Sequence, residues 1–223
     1  SLWNDKNTPR VMSKLEIPFI QPTHPNDVFV CSIEGCNGAG KTTLLNRYKK
    51  DYPDTECRLC VPDVFQTAKD MKRFMLFESS QLCSALYYLA GAVEVFNSHN
   101  KSFSKVLFDR SIWSTFAAAY AKDETTIPIL LNCLNAIKQQ VFLPNLIIVL
   151  DASFETAKAR SSKKSSGGEF DKDEIEAFMK KRNFYNLLKD AGYPILFIDV
   201  NDKNAEEVYS EFLKILNKVN ISL

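Results

Sequence analysis

No stretch of this 223-residue chain approaches the roughly 18 consecutive apolar residues that span a bilayer, and its first residues lack the apolar core of a secretory signal. A membrane partner is therefore not expected, and a cytoplasmic or comparably reducing compartment is. An excess of either charge is missing too: 28 basic against 27 acidic residues leave a formal net charge of +1, so no bulk field recruits nucleic acid. Histidine is scarce. Neither His24 nor His99 lies in a recognisable site segment, so both are expected at the surface and neither is a candidate base. A disulfide framework is also absent, because Cys31, Cys36, Cys57, Cys60, Cys83 and Cys133 are scattered through apparent core elements, as free thiols would be. The pair Cys57-Arg58-Leu59-Cys60 has no second CxxC and no nearby histidine, and reads as ordinary strand residues rather than a metal or redox site.

What remains is a chain of 25.4 kDa, 45% hydrophobic, sized for one α/β domain with a small-molecule partner. Its most specific feature is Gly35-Cys36-Asn37-Gly38-Ala39-Gly40-Lys41-Thr42, which matches GxxxxGK[ST] at every fixed position. Main-chain N–H groups of such a turn at a helix N-terminus form a concave cluster of donors. Lys41 adds a mobile positive charge, and Thr42 offers a hydroxyl to Mg²⁺. A polyphosphate is the expected ligand. The apolar run 28–33 before the loop reads as a strand and the segment 43–48 after it as a helix, which is the order the motif requires.

Residues 1–26, with Pro9, Pro18, Pro22 and Pro25, read as an irregular arm preceding a domain that occupies 27–223. Further strands are expected at 57–61, ending at Pro62, and at Lys105–Asp109, Leu146–Asp151 and 195–200. Helices are expected at 65–77, at 79–97 through the domain centre, at 113–121, at 128–142 after a break at Pro128, and at 203–218. This alternation implies a doubly wound parallel sheet flanked by helices, with ligands at the carboxyl ends of the strands. The small, basic segment at about 160–172 joins two helices and is expected to serve as a short lid.

Phosphoryl transfer asks the protein to hold donor, acceptor and Mg²⁺ in line and to spread the negative charge of the transferring group over cations. Asp109 ends an apolar strand, so its carboxylate should emerge near the phosphates, where it could hold the metal. Asp151 ends another and competes for that role; Asp109 is preferred because Arg110 follows it and could fork onto an acceptor phosphate.

The combination Ile33-Glu34-Gly35, Gly38 to Thr43, Asp109-Arg110-Ser111 and a basic segment leading to Phe170-Asp171-Lys172 resembles the thymidylate kinase family of nucleoside monophosphate kinases, on a P-loop NTPase fold. The run from Phe178 to Leu188 and the later Ile198-Asp199-Val200 are similar to that family's helix and last strand. The resemblance implies a Mg²⁺-dependent kinase moving the ATP γ-phosphate onto a nucleoside 5′-monophosphate. It implies that Gly35, Asn37, Gly38, Ala39, Gly40, Lys41, Thr42 and Thr43 hold the donor phosphates and that Thr42 and Asp109 serve the metal. Arg110 then grips the acceptor phosphate, and Arg160, Lys163 and Lys164 close over the donor. Asp63 falls near the acceptor sugar or phosphate, Tyr87 near a base-stacking position, and Asn37 can bond a sugar hydroxyl. Related kinases commonly pair through helices beside the sheet, so a homodimer is compatible with the resemblance.

Several positions depart from the family pattern. Cys60 and Val64 stand where related enzymes often place an arginine, Gly91 falls near another arginine position, and Asn37 replaces an acidic residue. A pyrimidine such as dTMP, a modified relative, or a relaxed choice of base all fit. A deoxynucleoside kinase is the nearest alternative; such enzymes usually show Glu-Arg where this chain has Asp109-Arg110. A regulatory NTPase is the alternative from another class, and no NKxD-type guanine motif supports it.

Overall fold

The computed structural model describes residues 15–25, 27–162 and 172–221. Strands β1 (Phe29–Glu34), β2 (Glu56–Leu59), β3 (Lys105–Asp109), β4 (Leu146–Asp151) and β5 (Ile195–Asp199) form one sheet in the order β2-β3-β1-β4-β5, with every neighbouring pair parallel. Helices α1 (Lys41–Asp51), α2 (Val64–Thr67), α3 (Lys69–Arg73), α4 (Gln81–Asn97), α5 (Ile112–Lys122), α6 (Ile127–Ile137), α7 (Phe154–Ser162), α8 (Lys172–Asp190) and α9 (Ala205–Ile221) flank it. The expected doubly wound α/β architecture is the one observed. Among the described residues no helix is long and apolar enough to cross a membrane.

Both faces of the sheet are covered, which is why β4 can be buried along its whole length and carry an almost unbroken apolar sequence. Strand residues alternate between two cores. On one face Ile147 and Val149 pack with Trp113, Phe116, Leu130 and Phe184 of α5, α6 and α8, while Val30, Val106 and Phe108 meet Val95 of α4. On the other, Cys31, Ile33, Leu107, Ile148 and Leu150 pack with Leu44, Leu45 and Tyr48 of α1 and with Phe212 and Leu216 of α9. The same alternation separates the CxxC pair: Cys57 lies against the second core and Cys60 against Val30 and Phe108. Burial raises both thiols, Cys57 to about 11 and Cys60 to about 12, so neither is poised for thiolate chemistry.

Four expectations need correction. The helix expected at 65–77 is three pieces, α2, α3 and a π turn at Phe74–Glu78, parted at Ala68 where ψ is 75°. No residue of those pieces is buried, so no apolar stripe pins a continuous helix there. The helix expected at 128–142 runs Ile127–Ile137, with Pro128 in its first turn, where a missing N–H breaks nothing; Val141, Phe142 and Leu143 leave it to enter the core. Helix α4 does not thread the centre. It buries Ala85, Leu89, Gly91, Ala92 and Val95 and leaves Leu86 exposed. Nor are the histidines surface groups: His24 is buried with Nε2 3.1 Å from the Leu143 carbonyl, and His99 lies against Phe142 with Nδ1 3.3 Å from Glu56.

Part of the arm is structural. Ile17 and Ile20 are buried in the core beside α5 and α6, the Ile20 N–H donates to the Tyr193 hydroxyl at 2.9 Å, and that hydroxyl donates to the Pro18 carbonyl at 2.8 Å.

Candidate active site

The Gly35 loop joins β1 to α1, and two of its glycines are required by geometry. Gly35 has φ +138° and approaches β4 so closely that a Cβ would lie 2.7 Å from the Leu150 carbonyl oxygen; Gly40 caps α1 with φ +95°. Lys41, the first residue of α1, is 7% exposed and donates to the Gly35 and Cys36 carbonyls at 3.0 and 2.8 Å. Burial, aided by the nearby Arg110 charge and opposed by Asp109, lowers its ammonium to about 8. Ala39 is buried under the turn, while Asn37, Thr42 and Thr43 are exposed.

Strand β3 brings the second set of groups alongside. Its register pairs Asp109 with Ile33, and the Arg110 N–H extends the ladder by donating to the Ile33 carbonyl at 2.9 Å. Arg110 then turns with φ +66°, the one positive value at a non-glycine among the described residues. The turn carries its guanidinium to the loop, where Nη2 donates to Asn37 Oδ1 at 3.1 Å. Thr42 Oγ1 donates to Asp109 Oδ2 at 3.5 Å, and Asp109 Oδ1 is buried without a hydrogen-bond partner. An orphaned carboxylate oxygen beside a hydroxyl is a hard-oxygen donor pair that suits Mg²⁺, an ion that takes one or two carboxylates and fills its remaining positions with phosphate and water. Among the described residues no cluster of three or more His, Cys, Asp or Glu offers a self-sufficient metal cage.

Of the other acidic strand ends, Asp199 of β5 accepts from the main-chain and side-chain N–H groups of Asn201 at 2.9 Å, and Asp151 and Glu34 are committed as well. Asp151 is held in a fork by Arg182 of α8, Nε to Oδ1 at 2.9 Å and Nη2 to Oδ2 at 2.6 Å. Burial, partly offset by Asp151, lowers the Arg182 guanidinium from its ordinary value. Glu34, fully buried, accepts from the hydroxyls of Ser111 and Ser114 on the α5 side and from Tyr185 of α8 at 3.1 Å. Burial, with the Glu34 charge next, holds the Tyr185 phenol well above its ordinary value, so it stays a donor. This network behind the loop leaves only a faint mark in the sequence: an acid at the end of an apolar strand, and hydroxyls at the cap and in the first turn of a helix.

Sequence reasoning thus brings together Gly35, Asn37, Gly38, Ala39, Gly40, Lys41, Thr42, Thr43, Asp109 and Arg110. Other candidates fall outside that cluster. Asp63 is exposed at the start of α2 and makes no capping bond. Arg160 donates to the Val200 carbonyl at 2.9 Å. Lys163 and Lys164, and most of the lid segment, lie outside the described residues. Tyr87 is stacked on Phe65, ring centroids 4.3 Å apart and planes 17° from parallel, with Tyr88 edge-on at 5.4 Å. One face of Tyr87 is therefore covered by protein. The Phe65 ring fills the space at Gly91, where a Cβ would lie 2.7 Å from Phe65 Cε2 and 2.9 Å from Val61 Cγ1.

Comparison with known proteins points the same way. A family model for thymidylate kinase matches residues 33–212. The thymidylate kinase of Mycoplasma genitalium is 24% identical over 207 residues, 86% of this chain and 94% of that one. Its Mycoplasma pneumoniae counterpart is 25% identical over 199 residues, 83% and 93%. Among solved structures, the thymidylate kinase from Candida albicans superposes with a TM-score of 0.64 at 19% identity, covering 86% of this chain and 92% of that one. A deoxyadenosine kinase from M. mycoides superposes with 0.63 at 16% identity, covering 86% and 100%.

Proposed function

The chain belongs to the thymidylate kinase family, and on that premise we propose that it transfers the γ-phosphate of ATP to a nucleoside 5′-monophosphate, a pyrimidine such as dTMP or a modified relative. The observation that carries this reading is the convergence of Lys41, Thr42, Asp109 and Arg110 on one loop at the carboxyl edge of the sheet. In this reading the loop N–H groups and Lys41 hold the donor phosphates, and Lys41 exchanges two carbonyl partners for phosphate oxygens. Thr42 and Asp109 hold Mg²⁺, which when bound neutralises charge on the donor oxygens.

Arg110 holds the acceptor phosphate in line. An acceptor phosphate oxygen forms the new P–O bond as the bond from the γ-phosphorus to the β,γ-bridging oxygen breaks, giving ADP and a nucleoside diphosphate. The left-handed turn at Arg110, backed by the Ser111–Glu34 contact, fixes that guanidinium before substrate arrives, so little reorganisation accompanies transfer.

The test is a coupled ADP-release assay over the common nucleosides and their 5′-monophosphates. Turnover with monophosphates and not with nucleosides is expected. Turnover with nucleosides alone would assign the chain to the deoxynucleoside kinases, and ADP release independent of any acceptor would make it a hydrolase.

A further inference from the structure

The arm at 15–25 precedes the span that the family model covers, yet it is pinned to the fold at several points. Ile17 and Ile20 are buried, and the Thr23 hydroxyl donates to the Lys138 carbonyl, just past α6, at 2.6 Å. The Tyr193 hydroxyl, between α8 and β5, accepts from the Ile20 N–H at 2.9 Å and donates to the Pro18 carbonyl at 2.8 Å. One phenol oxygen therefore fastens the arm twice. The Phe19 ring covers the same phenol, with centroids 5.0 Å apart.

The Tyr193 ring in turn packs edge-on against Trp113, with centroids 4.9 Å apart and planes at 68°. Trp113 is fully buried in the first turn of α5. Its N–H donates to Ser111 Oγ at 3.2 Å, and the same hydroxyl donates to Glu34. Ser111 caps α5 and directly follows the left-handed Arg110. Such a turn at a non-glycine persists only where its surroundings hold it. Before the turn that hold is the ladder bond to Ile33; after it, the hold is the cap, braced by Trp113. The indole is not wedged on every side. A cavity of about 120 Å³ lies beside it, lined also by Asn145 and by Phe19, Ile20 and Pro22 of the arm. A ring next to a void lacks contacts there, so its place depends on the neighbours it does touch, Tyr193 and Phe116.

We propose that Tyr193 and Trp113 are positioning residues through which the arm orients Arg110: the docked arm fixes Tyr193, Tyr193 fixes the indole, and Trp113 through Ser111 holds the Arg110 turn. Neither side chain touches substrate. The inference rests on the reading of Arg110 as the group that holds the acceptor phosphate. Freeing the arm lets the indole relax toward the cavity and loosens the Arg110 turn. The Gly35 loop is joined to none of these contacts and keeps its hold on the donor.

Tyr193→Phe in the full chain removes the fastening hydroxyl and keeps the ring. Amide hydrogen exchange followed by NMR quickens about 10-fold at Ile20, which loses its acceptor, and about 5-fold at Trp113 and Arg110, with Leu44 of α1 unchanged. In steady-state kinetics with the best monophosphate of a five-base panel, the acceptor KM rises about 5-fold while the ATP KM stays within about twofold. In an Arg110→Ala background the same substitution adds less than about twofold to the acceptor KM, an outcome that general loosening of the fold does not produce. An unchanged acceptor KM, a rise shared by the ATP KM, or a full further rise on top of Arg110→Ala each overturns the proposal and leaves the kinase reading intact. Unchanged exchange at Ile20, or at Arg110 and Trp113, overturns it as well. If wild type phosphorylates no monophosphate, the kinase reading fails, and the positioning of Arg110 by the arm stands or falls on the exchange rates alone.

Discussion

Around the Gly35 loop, the groups proposed to meet a phosphate are positioned by main chain. A glycine pressed on the Leu150 carbonyl, a left-handed turn at Arg110 and a ladder bond to Ile33 leave the side chains few choices. Between α2 and α4, by contrast, the arrangement depends on side chains packing on one another: Phe65 fills the hole at Gly91, Tyr87 stacks on Phe65, and Phe77 stands 80% exposed on a π turn. A surface set by backbone keeps its chemistry as peripheral residues change. One set by side chains can change what it accepts through a few substitutions. Under the proposed function, the loop side would be the fixed, phosphate-handling part of the site and the α2–α4 side the part that chooses the base.

Substitutions on the two sides should fail differently. The largest effect is expected at the loop: Lys41→Ala should cut kcat about 1000-fold, since on the proposed function it removes the charge that stabilises the transferring group, and a coupled ADP-release assay reads this directly. Glu34 anchors the same side from behind. Glu34→Ala leaves two buried hydroxyls and a half-buried one without their acceptor and should cost about 3 kcal/mol in denaturant unfolding, with Glu34→Gln costing less. On the other side, Gly91→Ala should push the Phe65 ring off Tyr87. A loss of about 1–2 kcal/mol together with a changed ranking of bases would sharpen the contrast, and an altered ATP KM would break it. The smallest effect separates backbone from side chain at one position. Arg110→Gly and Arg110→Ala should lose acceptor binding equally, yet the glycine variant should be about 1 kcal/mol the more stable, because φ +66° suits it. Equal melting temperatures would mean that the turn stores no strain.

The same contrast explains what could be read from sequence. Main-chain constraints leave marks in residue type: glycines at 35, 38 and 40, all with positive φ, and Asp109-Arg110 at the end of an apolar strand, were legible and lie where expected. The strands were legible because burial on both faces forces apolar runs. Side-chain complementarity leaves no such mark. Nothing in 65–77 signals that its helix breaks at Ala68, since the apolar residues that would suit a buried stripe are exposed. Tyr87 was singled out by the family resemblance, but its stacking on Phe65 depends on a contact 22 positions away in sequence. The buried Glu34 network and the burial of His24 likewise depend on residues more than 70 positions distant.

At the centre of the account is a direct passage of a phosphoryl group between two anions gathered at one loop. The most direct measurement is a ³¹P NMR time course of the protein with ATP, Mg²⁺ and each nucleoside 5′-monophosphate in turn. The account predicts paired growth of ADP and a second nucleoside diphosphate, without inorganic phosphate. Accumulation of inorganic phosphate with every monophosphate left unchanged would contradict it.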